Sequence, residues 1–416
     1  MHISNEFKVK SSQIDPIDVS RKDLYSQDRW SGLFAELRQK APIQWVPDSP
    51  FGPYWSVSTY KPIQYTEALP ELFSSSWTYG GISIAFNADA LVPHEVRQPM
   101  FIAMDPPQHA AQRRTVAPSF GPSQVGDMKA EVIQRTGALI DSLPIGENFD
   151  WVQKVSIELT TGMLAKLFDF PWAERHKLTE WSDIGGDVEL TRSEDGMIIR
   201  NTKLQEMGGR FAELWQEKAQ NPGTDLISVM IKSSAMQDMS PEEFIGNLVL
   251  LIVGGNDTTR NSMTAFAYGL SQYPEERAKL EADPLLIPNA VQEIIRWQTP
   301  LAHMRRTVQQ DTDMFGPMMK KGDKVVLWYL SANRDETIFE DGEAIKVDRD
   351  NARRHLSFGY GIHRCVGARV AELQLHTLLE ELANRRLRVN VVGEPDRVAS
   401  CFVHGYKSLQ VNLSHY

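Results

Sequence analysis

The chain has 416 residues, of which 42% are apolar, 24% charged and 9% aromatic. That composition suits a protein with a large buried core and excludes a disordered, collagen-like or disulfide-scaffolded chain. Its 44 Lys and Arg against 54 Asp and Glu leave a net charge of −10, which argues against broad binding to nucleic acid or an anionic membrane. Two cysteines, Cys365 and Cys401, make no disulfide framework, so a reducing cytoplasm is the expected compartment. The N-terminal stretch mixes charged and apolar positions without a signal-peptide core. The longest apolar run, 248–255, falls far short of the roughly 20 residues a membrane span needs.

In chain order, Ile43-Gln44-Trp45-Val46 and Tyr54-Trp55-Ser56-Val57-Ser58 read as short strands flanking a Phe51-Gly52-Pro53 turn. Residues 79–104 lose periodicity and read as a long, partly apolar loop, of the kind that forms lids or binding loops. From 106 to about 277 the signals are mostly helical, and Asp105-Pro106 is expected to cap and open a helix carrying His109 and Arg113 on one face. Residues 344–357 and 401–413 look extended or irregular, and no repeat or flexible linker divides the chain. One helix-rich domain with small β elements, spanning 1–416, is expected.

The clearest helix starts at Ser240-Pro241-Glu242-Glu243, a capping box with proline at the first helical position, and runs to about Gln272. Its first half, 244–253, is apolar nearly all round and should be buried. Gly254-Gly255-Asn256-Asp257-Thr258-Thr259 then breaks the pattern. Two interior glycines cost about 1 kcal/mol each relative to alanine. Such a break marks either a functional site or a kink or close helix crossing.

A second constellation is Phe358-Gly359-Tyr360-Gly361-Ile362-His363-Arg364-Cys365-Val366-Gly367. Its glycines imply a tight loop, and helical periodicity resumes over 368–386. Cys365 therefore stands just before a helix N-terminus, where the helix dipole should lower its pKa. A thiolate there is a nucleophile with His363 as base, or a single axial ligand to haem iron; a buried structural cysteine is the plain alternative. Zinc is disfavoured because no second cysteine is near.

Residues 358–367 also match, at every specified position, the haem-binding signature F-G-x-G-x-H-x-C-x-G of the cytochrome P450 family, which this chain resembles. Other motifs of that family follow. Gly254-Gly255-Asn256-Asp257-Thr258 resembles its oxygen-activation motif, and Glu293-Ile294-Ile295-Arg296 its E-x-x-R element, with Arg349 as third member. His109 with Arg113, and Arg305 in Met304-Arg305-Arg306-Thr307, resemble its propionate-binding groups. The resemblance implies a mainly α fold with small β-sheets (α+β) and haem b between the long helix and the cysteine loop. It implies Cys365 as the iron ligand, His363 beside the cofactor, and Asp257 and Thr258 as proton-delivering residues. Glu293, Arg296 and Arg349 become a buried structural network. Leu250, Val253, Gly254 and Leu301 are carried over as substrate-pocket residues, with Ile82, Ile84 and Phe101 as lid, and Cys401 is structural.

The implied reaction inserts one oxygen atom of O2 into an unactivated C–H bond. The chain carries neither a dinucleotide fingerprint nor a ferredoxin-type cysteine cluster, so a ferredoxin and an NAD(P)H-dependent ferredoxin reductase are the expected partners. Between 349 and 369 five arginines stand against one acid, and Arg364 with Arg353 or Arg354 are candidates for docking that acidic partner. The wording around Gly254, Leu301 and Phe51 resembles terminal hydroxylases of alkanes and fatty acids. A steroid or terpenoid hydroxylase is the alternative. A haem-thiolate gas sensor or a peroxide-driven enzyme fits less well, because neither needs the acid–alcohol pair.

Overall fold

Alternation in Ile43–Val46 and Tyr54–Val57 produces an antiparallel pair with Trp45 opposite Trp55. The computed structural model describes residues 14–85 and 99–416. In it this pair extends into a five-stranded sheet through Lys324–Leu327, then Met304–Val308, then Phe73–Ser74. Tyr54–Val57 runs parallel to Lys324–Leu327, which pairs antiparallel with Met304–Val308, Arg306 facing Val325. Every residue of these three inner strands is buried, so the sheet is covered on both faces. Arg305, Arg306 and Lys324 must therefore find their partners inside the protein.

The helix opened by Ser240 spans Pro241–Gln272, about 48 Å at 1.5 Å per residue. The Ser240 hydroxyl accepts from the Glu243 N–H at 3.2 Å. The Glu243 carboxylate does not complete the box; it accepts from Gln112 instead. The helix joins two apolar clusters: Leu248, Val249, Leu251 and Ile252 pack in one, and 263–270 contribute to another. Burial of its first half is incomplete, with Phe244, Ile245, Leu250 and Val253 only half-buried. It passes Gly254 and Gly255 without interruption. A Cβ on Gly255 would lie 2.7 Å from Leu164 of the helix Ile157–Phe168, so that glycine serves a close helix crossing. Gly254 faces open space.

Residues 344–357 form turns and a short 3-10 helix, Ala352–Arg354, rather than extended chain. Near the C-terminus Gln410–His415 lies between Phe149–Asp150 and Leu387–Val391, and Asp396–Arg397 pairs with Tyr406–Ser408. This last pair carries Phe402 inward on its connecting loop. No helix among the described residues is long and apolar enough to cross a membrane.

Candidate active site

The glycines of the cysteine loop have a specific use. Gly359 and Gly361 adopt φ of 69° and 65°, the left-handed region that side chains disfavour. A Cβ on Gly361 would also reach 2.5 Å from the Glu67 carbonyl. The loop closes through the Cys365 N–H, which donates to the Phe358 carbonyl at 2.7 Å, three residues before the helix Ala368–Asn384. The surface that Cys365 exposes opens into an internal cavity. Protein packed around it raises the thiol above its ordinary pKa; the Gly367 N–H and the Arg113 and Arg364 cations oppose that rise without reversing it. The expected lowering by the helix terminus is thus overcome by burial, a long-range effect.

The same cavity is walled by the middle of the long helix: Leu250, Val253, Gly254 and Thr258 line it, as does Leu301. Because Gly254 bears no side chain, helix backbone itself forms part of the wall, and the Thr258 hydroxyl donates to the Gly254 carbonyl at 2.8 Å. Asp257 is 2% exposed and turns away from the cavity toward the helix His176–Gly186. It accepts from Ser182 at 2.7 Å and from Arg260 at 3.0 Å. Arg260 in turn donates to Asp183, whose side chain is 52% exposed. Burial raises the Asp257 carboxyl above the usual range, with Arg260 pulling against it. The alcohol therefore faces the cavity, and the acid beside it is linked to solvent through an arginine.

A basic cluster forms another part of the cavity. His109 and His363 pack with ring centroids 4.3 Å apart and their planes tilted by 57°, and none of their four ring nitrogens has a hydrogen-bond partner. Burial, with Arg113 and Arg306 nearby, pushes His109 down to about 4 and depresses His363 further. Arg113, Arg306 and His363 line the cavity. Arg113 donates to the Arg364 carbonyl, and Arg306 donates to Glu67 at 2.9 Å. Unsatisfied imidazoles beside two guanidiniums make a site that an anionic group would complete. Together with one thiol and a glycine-walled space, this donor set fits haem with its two propionates.

Arg305 does not belong to that cluster. Side chains alternate along Met304–Val308, so Met304 and Arg306 face the cavity while Arg305 and Thr307 face the opposite side. The arginine of this strand that lines the site is Arg306; alternation puts the two arginines on opposite faces, and the packing of the sheet decides which face meets the cavity. Asp105 is a second correction: the helix runs Gln108–Val116 without a side-chain cap, and the Asp105 carboxylate accepts from Ser74 and Ser75 instead. Arg306→Lys, which keeps a cation beside Glu67 but loses the planar fork, is expected to speed haem loss to apomyoglobin by about tenfold while the apoprotein keeps its helical content.

Glu293 and Arg296 are both completely buried. Glu293 accepts from Arg296 at 2.7 and 2.8 Å, from Arg349 at 2.9 and 3.0 Å, and from the Lys346 N–H at 2.9 Å. Arg296 also donates to the Asn333, Gly342 and Ala344 carbonyls. This network underlies the cysteine loop: Asn333 donates to Ser357 at 2.8 Å and accepts from the Leu356 N–H at 2.6 Å.

Of the loop 79–104, residues 86–98 lie outside the described residues. Ile82 and Phe101 line the cavity; Ile84 does not, being buried in the cluster around the sheet. Sequence reading missed Met163, Leu167, Phe168 and Phe402, apolar residues whose periodicity marks them only as core. Arg353, Arg354, Arg364 and Arg369 are exposed, whereas Arg349 is internal.

The family model for cytochrome P450 matches residues 109–392. Linalool 8-monooxygenase of Pseudomonas putida is 36% identical over 404 residues, 95% of this chain and 98% of that protein. A methyl-branched lipid omega-hydroxylase of Mycobacterium bovis is 31% identical over 430 residues, 98% of each. Among solved structures, cytochrome P450-153 of Novosphingobium aromaticivorans is 58% identical with a TM-score of 0.91, covering 95% of this chain and 99% of that one.

Proposed function

This chain belongs to the cytochrome P450 family and is a haem-dependent monooxygenase, and we propose that it hydroxylates the terminal carbon of medium-chain alkanes or fatty acids. The observation that carries this reading is the single cavity in which Cys365 meets a wall of Leu250, Val253, Leu301, Phe101 and Phe402. Such a surface holds an apolar chain by desolvation and offers few groups to orient a polar one. The resemblance to terminal hydroxylases in the motifs around Gly254 and Leu301 supports the same substrate class.

The cofactor of this reading is haem b, which Cys365 would ligate and whose propionates Arg113, Arg306, His109 and His363 would hold. When bound, haem would supply the activation of dioxygen, so that one oxygen atom enters a C–H bond and the other leaves as water with two electrons and two protons. The chain orients and dries the substrate and delivers protons. Thr258 holds a hydroxyl at the cavity surface, free to exchange the Gly254 carbonyl for a partner inside. Asp257 holds a carboxyl whose raised pKa suits proton transfer, and Arg260 ties it to the exposed Asp183. Electrons arrive from a ferredoxin reduced by an NAD(P)H-dependent reductase, docking at the exposed Arg364 with Arg353 or Arg354. Cytoplasmic location is part of the same reading.

Thr258→Ala removes a hydroxyl bonded only within its own helix, so folding is expected to be unaffected. Product formed per NAD(P)H is expected to fall about tenfold or more, with hydrogen peroxide rising to match. Unchanged coupling would remove Thr258 from proton delivery.

Terpenoid hydroxylation is the second reading, favoured by the likeness to linalool 8-monooxygenase. Titrating the holoenzyme with n-alkanes, fatty acids, terpenoids and steroids, while following the iron spin state, separates the two. Product analysis with a ferredoxin system completes the test. A terminal alcohol from a linear chain supports the proposal; conversion of terpenoids with no linear chain bound overturns it.

A further inference from the structure

The side of Met304–Val308 that faces away from the cavity does something else. The neighbouring segment 79–85 supplies Gly80, Gly81, Ile82 and Ser83 to the cavity wall but belongs to no strand. Gly80 and Gly81 both have positive φ, 108° and 71°, so its carbonyls cannot join a regular ladder. Buried carbonyls need donors all the same. Here they come from the sheet's basic side chains. Arg305 donates to the Gly80 and Tyr79 carbonyls, both at 2.8 Å, and the Arg305 N–H donates to Ile82 at 2.8 Å. Lys324, 5% exposed, donates to the Ile84 carbonyl at 2.9 Å and to Phe51 at 2.6 Å.

His303 completes the arrangement. Its Nε2 accepts from the Ile84 N–H at 3.3 Å, which leaves Nδ1 as donor to the Cys401 carbonyl at 2.8 Å. Its ring packs on Phe402, itself a cavity residue, at a centroid distance of 5.2 Å. We infer that Arg305, Lys324 and His303 form a buried basic clamp that fixes the 80–83 wall and thereby sets which carbon of the substrate can approach the reactive centre. These are positioning residues, acting through the loop. The Arg305 and Lys324 side chains donate to main-chain carbonyls and the neutral His303 imidazole accepts from a main-chain N–H, so the hold is independent of the loop's own side chains. The inference rests on the reading that this cavity holds the substrate.

Two substitutions loosen the clamp from opposite sides. Lys324→Met removes the ammonium but keeps the aliphatic stem. Gly80→Ala places a methyl group against the Arg305 guanidinium. Gly81→Ala is the control: its φ is also positive, but its Cβ would meet only ordinary contacts at 3.8 Å. In the substrate-free holoenzyme, hydrogen–deuterium exchange across 79–85 is expected to quicken at least about tenfold in Lys324→Met and Gly80→Ala, and less in Gly81→Ala. With n-octane and dodecanoic acid as probes, both clamp variants should shift product from terminal toward subterminal alcohols, at unchanged haem content.

Unchanged exchange in haem-loaded Gly80→Ala overturns the clamp, whether or not Lys324→Met folds. Faster exchange with an unaltered product ratio overturns its role in positioning. If the wild-type enzyme oxidises neither probe, the proposed substrate class fails, and the exchange data still decide the clamp.

Discussion

Cys365→Ala is expected to leave the fold intact and to reduce product formation to background. The loop that carries the residue is closed by main-chain bonding, the Cys365 N–H to the Phe358 carbonyl, which alanine preserves. The sulfur faces the cavity rather than packed core, so its loss should cost about 1 kcal/mol or less. Chemistry has no such margin on the proposed reading, because the Cys365 thiolate would be the protein's ligand to haem and would tune its reactivity toward dioxygen. Three measurements check this: a near-unchanged far-ultraviolet spectrum, a ferrous carbonyl band without the thiolate-type red shift, and no product with a ferredoxin system. Cys401 supplies the control. It is fully buried in the cluster around the sheet, away from the cavity, and Cys401→Ala should retain turnover. Product formation persisting in Cys365→Ala would overturn the haem-thiolate assignment.

The largest loss of stability is expected from Glu293→Ala. One carboxylate accepts from two guanidiniums and a main-chain N–H, all in the protein interior. Removing it strands Arg296, which is 0% exposed, and Arg349, which is 7% exposed. Breaking a buried pair in this way costs about 3–5 kcal/mol, a large share of the roughly 5–15 kcal/mol available to a folded protein. Low yield, a lowered melting temperature and poor haem incorporation should follow. Glu293→Gln keeps the shape and some hydrogen bonds but not the charge, and should fall between. The fraction that does load haem should turn over at the wild-type rate per haem. A rate per haem that falls with the melting temperature preserved would place Glu293 in the chemistry instead.

The site was most readable where the chemistry is local. The Phe358–Cys365 loop requires left-handed backbone at 359 and 361, and glycine at both positions records that requirement in the sequence. The N-cap at Ser240 and the strand pair around Trp45 and Trp55 are local in the same sense. Reading stopped where partners come from far along the chain. Two adjacent arginines, Arg305 and Arg306, have the same chemistry, and only the pairing with Lys324–Leu327 and the placement of 79–85 decides which faces the cavity. Asp257 and Thr258 are neighbours on one helix, yet about 100° of rotation separates their side chains. Packing of His176–Gly186 turned the acid outward, to Ser182 and Arg260.

The sequence alone therefore determined the family resemblance, the glycine-built cysteine loop and the long capped helix, because backbone conformation and capping depend on a few adjacent residues. Tertiary structure decided the direction of the Cys365 pKa shift and the division of labour between Arg305 and Arg306. Desolvation and strand register are set by atoms brought together across the chain, and no local pattern of residues encodes them.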